Sequence, residues 1–213
     1  MQKSGVIFDM DGVIIDSEPV HKMLNKKIFR QLGLTVEDDI QLQYVGVTKR
    51  TKWQILKEHY HLEQSIDELI QFQNGIFHNY EWNFKSILFP EVIPFLGKLQ
   101  ELGVPCALAS SSERLRVNEV LEQCGLKRYF IATIAGDEID SGKPDPEIFL
   151  TAAKKLNLPP EHCLVVEDSY NGMVAAKRAN MYGIGIRHQH TRLDLSIADQ
   201  VVNSLAEIKL ENC

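Results

Sequence analysis

The sequence predicts an α/β protein: an open parallel sheet covered by helices, with an all-helical segment inserted directly after the first strand. Three observations carry this. Short apolar runs alternate with amphipathic helical stretches from about residue 86 to the end of the chain. Strands alternating with helices of about 10–15 residues mean a parallel sheet covered on both faces. Residues 17–85, by contrast, contain helical periodicity and no convincing strand. And the first apolar run, Val6, Ile7 and Phe8 in "VIFDMDGVIID", leads without a break into Asp9, Asp11 and Asp16.

The elements follow in order. Val6–Phe8 reads as a strand buried on both faces. In the insert, "PVHKMLNKKIFRQLG" places Val20, Leu24, Ile28 and Leu32 on one helical face and stops at Gly33. "SIDE", from Ser65, is a capping box. It opens a helix with Ile66, Leu69, Ile70, Gln73 and Phe77 along one side. Back in the core, "PEVIPFLGKLQELG" is a helix ending at Gly103 and "VPCALAS" a strand ending in serines. "RVNEVLEQCG" is a helix stopped by Gly125, and "YFIATIAG" is a strand. "DPEIFLTAAKKLNL" is a helix with Asp145 as N-cap and Pro146 at its first position. "CLVVED" is a strand, "NGMVAAKRANM" a helix, "YGIGIR" a strand and "QVVN" an edge strand. The expected domains are therefore a core of residues 1–16 and 86–213 and a helical insert of residues 17–85. An inserted domain has two connections to its host, here near Asp16–Ser17 and Lys85–Ile87, which is the layout of a lid.

With 213 residues the chain has room for one large domain or a core with a smaller insert. A net charge of −6 argues against nucleic acid, which would select a basic face. No apolar run is long enough for a membrane span. The start of the sequence lacks a basic segment followed by an apolar stretch, so no secretory leader is expected. Cys106, Cys124, Cys163 and Cys213 show no paired spacing and are expected as reduced thiols. A cytoplasmic protein, monomeric or weakly oligomeric, fits these features.

In open parallel sheets, ligands bind beyond the C-terminal ends of the strands. Asp9 and Asp11 follow the first strand, Ser110 and Ser111 the second, and Glu167 and Asp168 end "CLVVED". Lys143, in "SGKPDP", lies in the loop after another strand. A parallel sheet brings all of these to one rim. Two carboxylates about 4 Å apart repel by roughly 4 kcal/mol at an effective dielectric near 20. Lys143 alone cannot offset several such terms, but a divalent cation can, and all-oxygen ligation suits Mg²⁺. Mg²⁺ completes its shell with phosphate oxygens, so a small phosphate ester is the expected partner of the rim.

"FDMDG", "LASS", "GKPDP" and "VVEDS" occur in the order and at roughly the spacing of the haloacid dehalogenase (HAD) superfamily of phosphotransferases, and the whole chain resembles that family. Its members with a helical cap after the first motif, the β-phosphoglucomutase-like sugar phosphatases and mutases, are the most similar. The resemblance implies a Rossmann-like core with a helical cap. It implies Asp9 as nucleophile forming an aspartyl-phosphate, Asp11 as general acid and then base, and Lys143 as charge partner. It also implies Mg²⁺ on Asp9, the Asp11 backbone carbonyl, Asp168 and, directly or through water, Glu167. Ser110 would hydrogen-bond the phosphoryl group, or cap a helix, or both. Asp16 and Ser17, where the chain leaves the core, read as a cap or hinge.

Phosphatase and mutase share the first half-reaction. A mutase must also grip a second phosphate with cap cations. Here "GVTKR" offers Lys49 and Arg50, but no Lys or Arg occurs from Glu58 to Phe84, and Gln73 falls about where the family's mutases carry a lysine. After Ser110 the mutases' lysine and asparagine are replaced by Glu113 and Arg114. His21, on the first cap helix, matches a histidine that assists the acid/base aspartate in the mutases and occurs in several phosphatases as well. The substrate-contacting set is thus Ser110, Ser111, His21, Lys49, Arg50 and Arg114. The expected activity is hydrolysis of small phosphorylated sugars or related metabolites, with interconversion of β-glucose 1-phosphate and glucose 6-phosphate as the alternative. A dehalogenase is disfavoured by Asp11, which that branch typically lacks.

Overall fold

A computed structural model describes residues 5–37, 40–41, 49–188 and 194–209. Among these, six strands form one fully parallel sheet: β1 (Gly5–Phe8), β2 (Cys106–Ala109), β3 (Ala132–Ile134), β4 (Cys163–Glu167), β5 (Tyr182–Ile186) and β6 (Gln200–Val202), in the order β3-β2-β1-β4-β5-β6. β1, β2 and β4 are buried at every position, as sheet strands covered by helices on both faces must be. The expected strands of the sequence all form, including the edge strand at Gln200.

The chain divides into two compact units, Met1–Asp16 with Asn83–Cys213, and Ser17–Trp82. The second boundary falls three residues before the one expected from the sequence. Phe84 is fully buried, and its backbone N–H donates to Gln123 Oε1 at 3.1 Å, which ties it to the α/β unit.

The helical unit contains α1 (Glu18–Gln31), α2 (Lys49–Tyr60) and α3 (Ile66–His78). Leu24, Ile28 and Phe29 are buried on α1, and Gly33 takes the left-handed conformation that ends it (φ +71°). The Ser65 capping box is present: the Ser65 N–H donates to Glu68 Oε2 at 2.7 Å, and the Glu68 N–H to Ser65 Oγ at 3.3 Å. α2 was not anticipated, and Lys49 and Arg50 are its first two residues. It contributes Trp53 and Leu56, fully buried against Phe29, Ile28 and Leu69. Gln73 is buried as well. Its Oε1 accepts the Trp53 indole N–H at 2.7 Å, so it satisfies a core polar group.

The remaining helices of the α/β unit are α4 (Val92–Glu101), α5 (Arg114–Gln123), α6 (Glu147–Lys155) and α7 (Tyr170–Arg178). α6 starts one residue later than expected. Pro146, not Asp145, is its N-cap; Asp145 stands one residue earlier and its Oδ1 accepts the Glu147 N–H at 3.0 Å. Cys106, Cys124 and Cys163 are buried thiols, while Cys213 lies outside the described residues. Among the described residues no helix is long and apolar enough to cross a membrane.

The Trp53–Gln73 bond yields a prediction. Gln73→Leu leaves the indole N–H buried and unsatisfied, a cost of roughly 1–3 kcal/mol. The Trp53→Phe, Gln73→Leu pair, which removes both partners, is expected to be less destabilised than the sum of the single variants. Chemical denaturation of the four proteins measures this, and additive losses would contradict it.

Candidate active site

The sheet register builds the site. Phe8 lies level with Leu108 on one side and Val166 on the other. The next residues along these strands, Asp9, Ala109 and Glu167, therefore end at one edge. The Asp9 N–H donates to the Val166 carbonyl at 2.9 Å, extending the ladder by one bond and fixing the backbone from which its carboxylate projects.

Lys143 sits at the centre of this edge. Its Nζ donates to Asp9 Oδ1 at 2.5 Å, to Glu167 Oε1 at 2.9 Å and to the Ala109 carbonyl at 3.4 Å, with the Phe149 ring 4.9 Å away. The Lys143 side chain is 7% exposed and that of Glu167 2%. Burial pulls the Lys143 ammonium toward neutrality, but the Asp9 and Glu167 carboxylates outweigh it and hold its pKa above the ordinary lysine range. Burial pushes the Asp9 carboxyl up to about 7; Lys143 opposes the rise, and Glu167 and Asp11 add to it. Asp168 is likewise raised well above its ordinary value by burial, then by Glu167 and Asp9.

Asp9, Glu167 and Asp168 each offer a carboxylate oxygen within 4.8 Å of the others. This largely buried, all-oxygen, net-negative set suits a hard divalent cation such as Mg²⁺. Two glycines make room for it. Gly12 has φ +80°, and a Cβ there would lie 2.0 Å from Asp168 Oδ2. A Cβ on Gly172 would lie 1.9 Å from Glu167 Oε1. Glu167 is held further by the Ser169 N–H on its Oε2 at 2.5 Å, and Ser169 caps α7 through the Gly172 N–H at 3.0 Å.

The Asp11 carboxylate goes elsewhere. Ser112 Oγ donates to its Oδ2 at 3.0 Å and Arg116 Nη2 to its Oδ1 at 3.2 Å. Ser110 is buried at the end of β2 and its Oγ accepts the Ser112 N–H at 3.1 Å, so it organises the turn into α5. Of the three serines, Ser112 rather than Ser111 meets Asp11.

Arg114 is placed differently from the expectation. Its guanidinium bonds Glu138 Oε1 at 2.9 Å, Thr133 Oγ1 at 2.7 Å and the Thr133 carbonyl at 3.0 Å, which fastens α5 to β3. Within the helical unit, Lys49 Nζ donates to Asn74 Oδ1 at 2.9 Å and Arg50 pairs with Asp67. The His21 ring meets the edges of Phe77 and Trp82, at centroid distances of 5.3 and 5.8 Å.

Sequence reasoning missed three residues. Arg116 is one. Lys52 is another: it is buried, donates to Asn25 Oδ1 at 2.7 Å, and burial together with nearby Lys49 lowers its pKa to about 8. The third is His188, just beyond β5, which stacks on Phe89 and whose Nε2 lies 2.5 Å from the Gly12 carbonyl. That contact spans 176 residues of sequence, so no local pattern could reveal it.

Comparison with known proteins places this site in a family. Residues 3–180 match the model of the haloacid dehalogenase-like hydrolases. A phosphorylated carbohydrates phosphatase of Thermotoga maritima is 33% identical over 184 residues, 84% of either chain. The β-phosphoglucomutase of Bacillus subtilis is 28% identical over 215 residues, 97% of this chain and 92% of that one. The crystal structure of a HAD hydrolase, family IA, variant 3, from Entamoeba histolytica superposes with a TM-score of 0.84 at 25% identity, covering 100% of this chain and 97% of the other. The chain belongs to the haloacid dehalogenase-like hydrolases, and it is an enzyme of the phosphatase or phosphomutase kind.

Proposed function

We propose that the protein is a Mg²⁺-dependent phosphatase of small phosphorylated sugars or related metabolites, working through an aspartyl-phosphate on Asp9. The observation that carries this reading is Asp9 itself: a buried carboxylate at a strand end, bonded to Lys143 and within ligand distance of Glu167 and Asp168. The name of the Thermotoga maritima relative supports the substrate class.

Asp9, Glu167 and Asp168 would hold the cation, which when bound neutralises phosphate charge and polarises a phosphoryl oxygen. The Asp9 oxygen not bonded to Lys143 attacks phosphorus. The new O–P bond forms as the ester P–O bond breaks, and the leaving oxygen keeps the electron pair and takes a proton from Asp11. Lys143 balances negative charge at the nucleophile throughout. Asp11, now a carboxylate, removes a proton from water, which attacks the aspartyl-phosphate and returns Asp9 with release of inorganic phosphate.

The cap supports hydrolysis over the mutase reaction. The two cations that the sequence offered to a second phosphate have partners, Asn74 for Lys49 and Asp67 for Arg50. Gln73, where a mutase lysine would fall, is buried against Trp53.

Three outcomes are expected. Asp9→Asn, or excess chelator, should abolish phosphate release from a hexose phosphate, and persistent activity in either would contradict the mechanism. Phosphate release from β-glucose 1-phosphate should exceed formation of glucose 6-phosphate with the bisphosphate present, as a coupled assay measures; mutase turnover well above hydrolysis would reverse the assignment.

The third concerns pH. Asp9 has a folded pKa of about 7 against an ordinary 3.8. Between these values the metal-free folded state holds a proton that the unfolded state has lost. Its contribution to stability is full below the ordinary value and is lost as pH rises through about 7. A bound cation compensates the ionised cluster, so Mg²⁺ should raise Tm more at about pH 8 than at about pH 5. Equal shifts at both, read by scanning calorimetry, would argue against a cation on these carboxylates.

A further inference from the structure

We propose that Arg116, with Ser112, is a positioning residue for the Asp11 carboxylate in phosphoryl transfer, an inference that rests on the acid/base role given to Asp11 above. A general acid must stand within hydrogen-bond reach of the oxygen it protonates. A misplacement of about 1 Å can cost about 10²-fold in rate. Asp11 lies beyond the end of β1 at Phe8, next to Gly12 at φ +80°. Its orientation therefore depends on what grips it from elsewhere in the chain.

Two donors do so, one on each oxygen: Ser112 Oγ on Oδ2 and Arg116 Nη2 on Oδ1. A single contact would leave the carboxylate free to rotate about Cβ–Cγ, whereas two on different oxygens fix its plane. The side chains of Arg116 and Asp11 are only 20% and 29% exposed, so the pair is better shielded than a surface ion pair.

Both donors are themselves held. Ser112 is anchored on two sides, its N–H on Ser110 Oγ at 3.1 Å and its carbonyl accepting the Gly136 N–H at 2.8 Å. The Arg116 guanidinium lies 5.8 Å from the centroid of the buried Phe84 ring. The Phe84 backbone is bonded to Gln123 of the same helix. The helix start is fastened by Arg114 on Thr133 and Glu138. Ser112 lies in the turn before α5 and Arg116 in its first turn, and the two meet at the Asp11 carboxylate. The two arginines thus divide the work: Arg114 fixes the helix to the sheet, and Arg116 carries that rigidity to Asp11.

The test is a Brønsted series. kcat/KM for phosphate release is measured with Mg²⁺ on aryl and alkyl phosphate monoesters of graded leaving-group pKa, for the wild type, Asp11→Asn, Arg116→Gln, Arg116→Lys, Ser112→Ala and the Asp11→Asn, Arg116→Gln double variant. Arg116→Gln and Ser112→Ala are expected to lose at least about 10-fold more on the alkyl esters than on nitrophenyl phosphate, steepening the series toward that of Asp11→Asn. Arg116→Lys, which keeps a cation beside Phe84, should recover part of the loss and guards against a folding defect in the glutamine variant. In the Asp11→Asn background, Arg116→Gln should add less than about twofold, because the group it positions is gone. A uniform loss across the series, or a full further loss in that background, would overturn the proposal. A flat Asp11→Asn series would overturn the acid role of Asp11 and this inference with it; a steep one beside an unsteepened Arg116→Gln series would overturn this inference alone.

Discussion

The site depends on one ammonium among buried carboxylates. Lys143 bridges Asp9 and Glu167 with almost no access to water, and without it two negative charges would share a low-dielectric edge. Removing one partner of a buried ion pair typically costs 3–5 kcal/mol, because the other charge stays buried and uncompensated. Even with Lys143 in place, Asp9 and Asp168 remain pushed toward their neutral forms. The chain therefore holds more negative charge at this edge than its own cation neutralises, an arrangement suited to a divalent cation and a phosphate monoester.

The rest of the α/β unit reads as the means of keeping that cluster in place. β1 and β4 pair in register, so Asp9 and Glu167 are brought side by side by backbone bonds rather than by side-chain contacts. Glycines stand where the carboxylates press closest to the chain, at Gly12 and Gly172. Ser169 serves the Glu167 carboxylate through its N–H and the α7 N-terminus through its hydroxyl. His188 reaches the Gly12 carbonyl from beyond β5, tying the turn after β1 to the far half of the sheet.

Much of this is legible in the sequence. Strands buried on both faces announce themselves as unbroken apolar runs, and a carboxylate directly after such a run has nowhere to go but the strand end. Hence Asp9, Glu167 and Asp168 were placed on one rim from sequence alone, and the Ser65 box was found because its spacing is local. What failed needed phase or distance. Choosing between Arg114 and Arg116 requires the rotation of α5 about its axis, and the sequence does not display it. α2 was missed because its exposed positions are strongly polar and Lys52 stands among its buried ones. Gln73 lies on the apolar side of α3, yet only the Trp53 indole opposite explains why a polar group belongs there.

The central claim is that this edge exists to load a phosphoryl group onto Asp9. The most direct measurement is acid quenching of the Mg²⁺-replete protein during turnover of a phosphate ester, followed by peptide mapping by mass spectrometry. The account predicts one phosphoryl group on Asp9, absent when the cation is chelated. A phosphoryl group on Ser110 or on any other residue during turnover, with Asp9 unmodified, would contradict it.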